Sequence, residues 1–88
     1  MHSSPRDALN MLKWHPNMTL EDAIITYIHR GAPGNVRSIH GSEIDSILPG
    51  HMMLKDGTMI PYHRIIRIEY KGDVIFSRGK EKEGKTLG

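Results

Sequence analysis

Apolar and polar positions follow two rhythms along this chain, and the change from one to the other marks out its elements. Near the start, Ala8, Leu9, Met11 and Leu12 recur at helical spacing. Ser4-Pro5-Arg6-Asp7 stands before them, with a serine suited to cap a helix and a proline suited to its first position. Pro16 pushes His15 out of the helical region, so the pattern predicts a helix over residues 5–14. Thr19-Leu20-Glu21-Asp22 then resembles a capping box that could begin a second helix. The β-branched and aromatic run Ile24 to Ile28 argues instead for a strand over about 22–30. Its alternation sets Ile25, Tyr27 and His29 on one face and Ile24, Thr26, Ile28 and Arg30 on the other.

The second rhythm continues to residue 77. Gly31-Ala32-Pro33-Gly34-Asn35 has the composition of a turn, and Val36 to Ile39 reads as a short strand. Ser42 to Leu48 fits a helical turn and a strand equally well. His51–Lys55 and Thr58–Ile60 flank Asp56-Gly57, a two-residue hairpin signal. Arg64–Tyr70 alternates, turns at Lys71-Gly72-Asp73 and returns through Val74–Ser77 as a second hairpin. The expected fold is α+β: one N-terminal helix packed on a mainly antiparallel sheet of about five strands. The folded domain is expected over residues 1–78. The polar stretch opening at Arg78 has little to bury, so residues 79–88 are expected to form a disordered tail.

Composition narrows the chemistry. Eighty-eight residues make one small domain with a modest core. The chain has no cysteine, which excludes disulfides, thiolate metal sites and a cysteine nucleophile. No apolar run approaches the roughly 18 residues of a membrane helix, and Met1 to Pro5 has no apolar signal core. A soluble cytoplasmic protein is expected. The formal charge is only +2, but it is unevenly spread. Between Tyr27 and Ile44 stand Arg30, Arg37, His29 and His40 against the single acid Glu43, and Pro61 to Ile68 holds His63, Arg64 and Arg67 with no acid. A locally basic surface suits an anionic ligand.

The chemistry concentrates in a motif that occurs twice. Tyr27-Ile28-His29-Arg30 runs into the Gly/Pro turn, and Tyr62-His63-Arg64 follows Pro61, which cannot donate to a sheet ladder and so marks an edge, a bulge or a strand end. Arginine offers a fixed fork of donors for phosphate oxygens, histidine donates, accepts or carries a proton near neutral pH, and tyrosine can stack on a base. The turn can add backbone N–H groups from Gly31, Gly34 and Asn35 to an anion site. His29 and Arg30 leave their strand on opposite sides, so only the turn could bring both to one ligand. Trp14, at the helix end beside Lys13 and His15, reads first as a core anchor and second as a base-stacking ring. The internal histidines His15, His29, His40, His51 and His63 lack metal-ligand spacing, so no metal and no other cofactor is expected. Gly-x-Ser-x-Gly is absent, and the His-x-Ser/Thr pattern of two-histidine phosphoesterases is met by His40-Gly41-Ser42 and otherwise only by His2-Ser3-Ser4 at the N-terminus, expected to be loose.

Taken in order, Lys13-Trp14-His15-Pro16, Tyr27-x-His29-Arg30-Gly31-Ala32-Pro33-Gly34 and Asp56-Gly57-x-x-Ile60-Pro61-Tyr62-His63-Arg64-Ile65, followed by an alternating hairpin, resemble a family of small archaeal proteins, the RNA cyclic-group-end recognition domain. The resemblance covers about residues 5–78. It implies a ligand that is an RNA 3′ end bearing a 2′,3′-cyclic phosphate, in RNA processing or repair, with other RNA-processing proteins as further partners. His15, His29, Arg30, His63 and Arg64 would face the ligand, and Gly31 and Gly34 would shape the loop. Trp14, Tyr27 and Tyr62 are the aromatic residues that could stack on the terminal base. The first reading is therefore an RNA-end binding module rather than an enzyme. The alternatives are a metal-independent phosphoesterase with His29 and His63 as acid and base, and a protein-interaction module with both His-Arg sets satisfied inside the fold.

Overall fold

The computed structural model describes residues 4–78; the expected tail, 79–88, lies outside the described residues. Helix α1 spans Pro5–Trp14. Its boundaries follow from local chemistry. The Ser4 hydroxyl accepts the Asp7 N–H at 3.1 Å, proline occupies the first turn, and His15 leaves the helix in extended conformation ahead of Pro16. Pro5, Ala8, Leu9 and Leu12 form its buried stripe.

Seven strands follow: β1 Ala23–Ile28, β2 Val36–His40, β3 Ile44–Ile47, β4 His51–Leu54, β5 Met59–Pro61, β6 Ile65–Tyr70 and β7 Asp73–Ser77. The α+β class and the helix packed on sheet are as expected, but the strands divide between two antiparallel sheets. One has four strands in the order β2-β1-β6-β7 and the other three in the order β3-β4-β5. The division arises at Gly41–Glu43, a 3-10 turn that redirects the chain between β2 and β3. Both readings of the ambiguous segment 42–48 are thus realised, one after the other. Leu20–Asp22 forms a single 3-10 turn before β1, so the capping-box resemblance gives one turn and no second helix.

The two hairpin turns differ from expectation by one residue each. Lys71-Gly72 forms the two-residue turn, with φ of 50° and 89°, and Tyr70 pairs with Asp73. Asp56-Gly57 sits in a three-residue loop that includes Lys55, because Leu54 N–H donates to Thr58 O at 2.8 Å and Gly57 (φ 92°) takes the left-handed position. The Asp56 carboxylate accepts the Thr58 N–H at 2.9 Å, which together with Arg37 holds its pKa below the ordinary 3.8.

The core joins Leu9 and Leu12 of α1, Ile25 and Tyr27 of β1, Ile65 and Ile68 of β6, and Met52, Leu54 and Ile60 of the smaller sheet. Three successive residues of β1, Ile25 to Tyr27, are buried. Thr26 belongs to the outer face, but its hydroxyl bonds Ser38 on β2 at 2.8 Å. A register shift between Thr26 and Tyr27 against β6 re-aims the strand just before His29. Gly41 lies against the backbone at Leu20, where a Cβ would meet the carbonyl oxygen at 1.8 Å. Among the described residues no helix is long and apolar enough to cross a membrane.

Candidate functional site

The Tyr/His/Arg sets are brought to one end of the four-stranded sheet by the antiparallel pairing of β1 with β6. Tyr27 pairs with Ile65. His29 lies two positions beyond Tyr27 and His63 two positions before Ile65, so both histidines, and the arginines beside them, leave the sheet at the same end. His29, Arg30, His63 and Arg64 are all exposed. Among the described residues no hydrogen bond or ion pair engages the Arg30 or Arg64 side chain; the ion pair found joins Arg67 to Glu69 at 2.7 Å. This arrangement does not fit histidines satisfied within the core.

The first set enters this end through the turn after β1. His29 N–H donates to Asn35 O at 2.9 Å, and Ala32 N–H to His29 O at 3.2 Å. Gly31 and Gly34 take φ of 97° and 68°, a region that favours glycine, and a Cβ at Gly31 would meet open space. Conformation, not crowding, therefore requires glycine there. Asn35 N–H donates to Ala32 O at 2.8 Å and is unavailable to an anion, which leaves Gly31 and Gly34 as the loop donors to consider. The His29 ring stands edge-on to Tyr27, with 6.1 Å between centroids.

The second set is a 3-10 turn, Tyr62–Arg64, that begins where Pro61 ends β5. The half-buried Tyr62 donates its hydroxyl to Leu48 O at 2.5 Å, which ties the turn to the end of β3. Burial pushes the Tyr62 pKa up, against the opposing pull of Arg6 and of the Leu48 bond. From the other side Arg78 clamps the turn: Nη2 donates to Tyr62 O and Nε to Ile65 O, each at 3.0 Å, while its own N–H donates to Ile66 O at 2.9 Å. Arg78 is the last residue of the expected folded domain and the first of the polar run. It is docked by a guanidinium fork that reaches two carbonyls at once, one of which, Tyr62 O, also accepts the Ile65 N–H. Neither Arg78 nor Arg6 stands in a motif that would have flagged it.

His15 is not brought to this end. Arg6, near the start of α1, interacts with Tyr62, while the end of α1 leads into Leu20–Asp22 and the opposite end of β1. His15 therefore lies about a helix length from the His29–His63 pair, with its Nδ1 accepting the Asn17 N–H at 3.1 Å. The expectation that Trp14 anchors the core is overturned. It falls outside the stripe of Pro5, Ala8, Leu9 and Leu12 and is 73% exposed, with Lys13 Nζ 5.3 Å from its ring centroid. Tyr27, another aromatic candidate for stacking, is 4% exposed and belongs to the core. Among the described residues no cluster of three or more histidine or acidic side chains could hold a metal ion.

These features belong to a known class of small domain. Residues 2–78 match the model of the MJ1316 RNA cyclic group end recognition domain, and the chain belongs to that family. A UPF0248 protein of Methanococcus vannielii is 35% identical over 75 residues, covering 83% of this chain and 89% of that protein. The UPF0248 protein MJ1316 of Methanocaldococcus jannaschii is 32% identical over 75 residues, covering 83% and 91%. A UPF0248 protein of Saccharolobus islandicus is 33% identical over 70 residues, covering 77% and 88%. No solved structure matches the chain.

Proposed function

We propose that this protein is a binding module for RNA 3′ ends carrying a 2′,3′-cyclic phosphate. The observation that carries the reading is the β1–β6 register, which sets two exposed His-Arg pairs at one sheet end, with neither guanidinium group engaged among the described residues. A cyclic phosphate has one negative charge and two free oxygens. An arginine fork can take both oxygens, and an imidazole N–H can add a further bond. Arg30 and Arg64 hold the phosphate in this reading, His29 and His63 read its ring oxygens, and the Gly31–Gly34 loop lets the backbone approach. The family's description agrees with the ligand. RNA-processing or repair proteins are the partners such a module would serve.

Binding of short RNAs that differ only in the end group tests the reading. At fixed salt the cyclic-phosphate RNA binds more tightly than the 2′,3′-diol, and Arg30→Ala or Arg64→Ala weakens it by about 1.5–3 kcal/mol, the range for a charge-assisted bond. Both substitutions leave the diol nearly unaffected, and salt weakens both RNAs alike. Equal affinities for the two ends would overturn end recognition. The same register supports a second reading, in which one of the pair His29 and His63 takes a proton from a water that attacks phosphorus and the other gives a proton to the ring oxygen as its P–O bond breaks. Accumulation of ring-opened product, with a bell-shaped pH–rate profile lost in either His→Ala variant, would establish it.

A further inference from the structure

From the cleft at the far end of α1 we infer a second RNA subsite, one that takes a single-stranded nucleotide upstream of the bound end; it rests on the RNA-end reading above. The cleft, about 490 Å³, is bounded by Lys13 of α1, the segment Met18–Glu21, strand β3 from Ile44 to Ile47, and Lys55. Trp14 stands beside its Lys13 wall. A tryptophan that is 73% exposed leaves a broad ring surface in water, whereas tryptophan is usually among the more buried residues. Base stacking on an exposed aromatic ring flanked by cations is how single strands are held without sequence reading. Lys13 reaches both the ring and the cleft, since its Nζ sits 5.3 Å from the Trp14 centroid and its side chain lines the cavity.

The cleft is linked to the end site through β3 and the Tyr62 turn. Its β3 wall finishes at Ile47, and the next residue, Leu48, holds the Tyr62 hydroxyl through its carbonyl. Tyr62 opens the turn that carries His63 and Arg64, and Arg6 interacts with Tyr62 from the start of α1. Arg6 and Trp14 are separated by roughly 12 Å along the helix, so a strand leaving the end site alongside α1 passes Arg6 before it reaches Trp14. The cleft is not uniformly basic. Glu21 and Asp45 line it too, and Ser46 Oγ donates to Asp45 Oδ2 at 2.8 Å. The phosphate therefore belongs on the Lys13 and Lys55 side. The carboxylates suit an exocyclic amino group, such as N4 of cytosine.

Trp14 is the only tryptophan of the chain, so its fluorescence reports on this subsite alone. The probes are a cytidine tetranucleotide ending in 2′,3′-cyclic phosphate, the same tetranucleotide with a 2′,3′-diol, and the mononucleotide cytidine 2′,3′-cyclic phosphate. The tetranucleotide is expected to quench Trp14 saturably and the mononucleotide to leave it unchanged. Trp14→Ala should weaken both tetranucleotides about tenfold, the scale of one stacked base, with mononucleotide binding intact. Trp14→Phe should restore most of the loss. Lys13→Ala should weaken the tetranucleotides and make their salt dependence shallower, because a phosphate contact has been removed. Tetranucleotide binding unaffected by Trp14→Ala would overturn the subsite and leave Trp14 as a contact for protein. Equal loss for mononucleotide and tetranucleotide would overturn it as well. Should the cyclic and diol tetranucleotides bind equally while both depend on Trp14, the end-recognition reading fails and the cleft stands.

Discussion

The two Tyr/His/Arg sets are near-copies in sequence and unlike in structure. Tyr27 is a core residue at 4% exposure, and its His29-Arg30 leave the end of a central strand into a loop shaped by Gly31 and Gly34. Tyr62 is half-buried and belongs to a 3-10 turn between sheets, fastened by its hydroxyl to Leu48 and by Arg78 to the end of β7. The first set is rigid because its root is packed. The second is rigid because its backbone is hydrogen-bonded by side chains from elsewhere. A repeated motif thus presents the same two functional groups on two different supports, and the supports should fail in different ways.

The largest contrast lies in the tyrosines. Tyr27→Ala removes a buried ring from the centre of the four-stranded sheet and is expected to cost about 3–5 kcal/mol of stability, measured by denaturant unfolding. A cost under about 1 kcal/mol would show that Tyr27 is not a core support. Next in size is the clamp on the second set. Arg78→Ala removes the charged donor from the Tyr62 and Ile65 carbonyls and should cost about 1.5–3 kcal/mol. It should also couple to the site: the effect of Arg64→Ala on cyclic-phosphate RNA binding shrinks in the Arg78→Ala background, while the effect of Arg30→Ala does not. Arg78→Lys should not rescue, because an ammonium lacks the fork that spans two carbonyls. Equal coupling to both arginines would erase the distinction between the supports. The smallest effect is expected from Tyr62→Phe, which keeps the ring and loses one bond to Leu48, at about 0.5–1.5 kcal/mol in the same unfolding measurement. A larger loss than that from Tyr27→Ala would reverse the comparison.

The sharpest lesson about reading the sequence comes from residues whose local and distant roles diverge. Trp14 and Pro16 mark the helix end equally well, but only the buried stripe of α1 decides that the ring at its end faces water. His15 shares the chemistry of His29 and His63 and lies away from them, because a helix length intervenes. Arg78 looked like the start of a polar tail, and its docking depends on two carbonyls more than ten residues away in the chain.

What the sequence determined by itself is therefore what short-range forces set. The bounds of α1 follow from Ser4, Pro5 and Pro16, the strand character of Ala23–Ile28 from its β-branched run, and the sites of both hairpins from glycines that must take positive φ. Each of these acts over a few residues, through sterics or a single hydrogen bond. The split into two sheets, the placing of both His-Arg sets at one end, the backbone contact that leaves no room for a Cβ at Gly41, and the Arg78 clamp were decided only by tertiary structure. They depend on which distant surfaces bury one another and in what register. Those choices are made by the packing of Ile25, Tyr27, Ile65 and Ile68 as a set, and no local window of the chain contains all four.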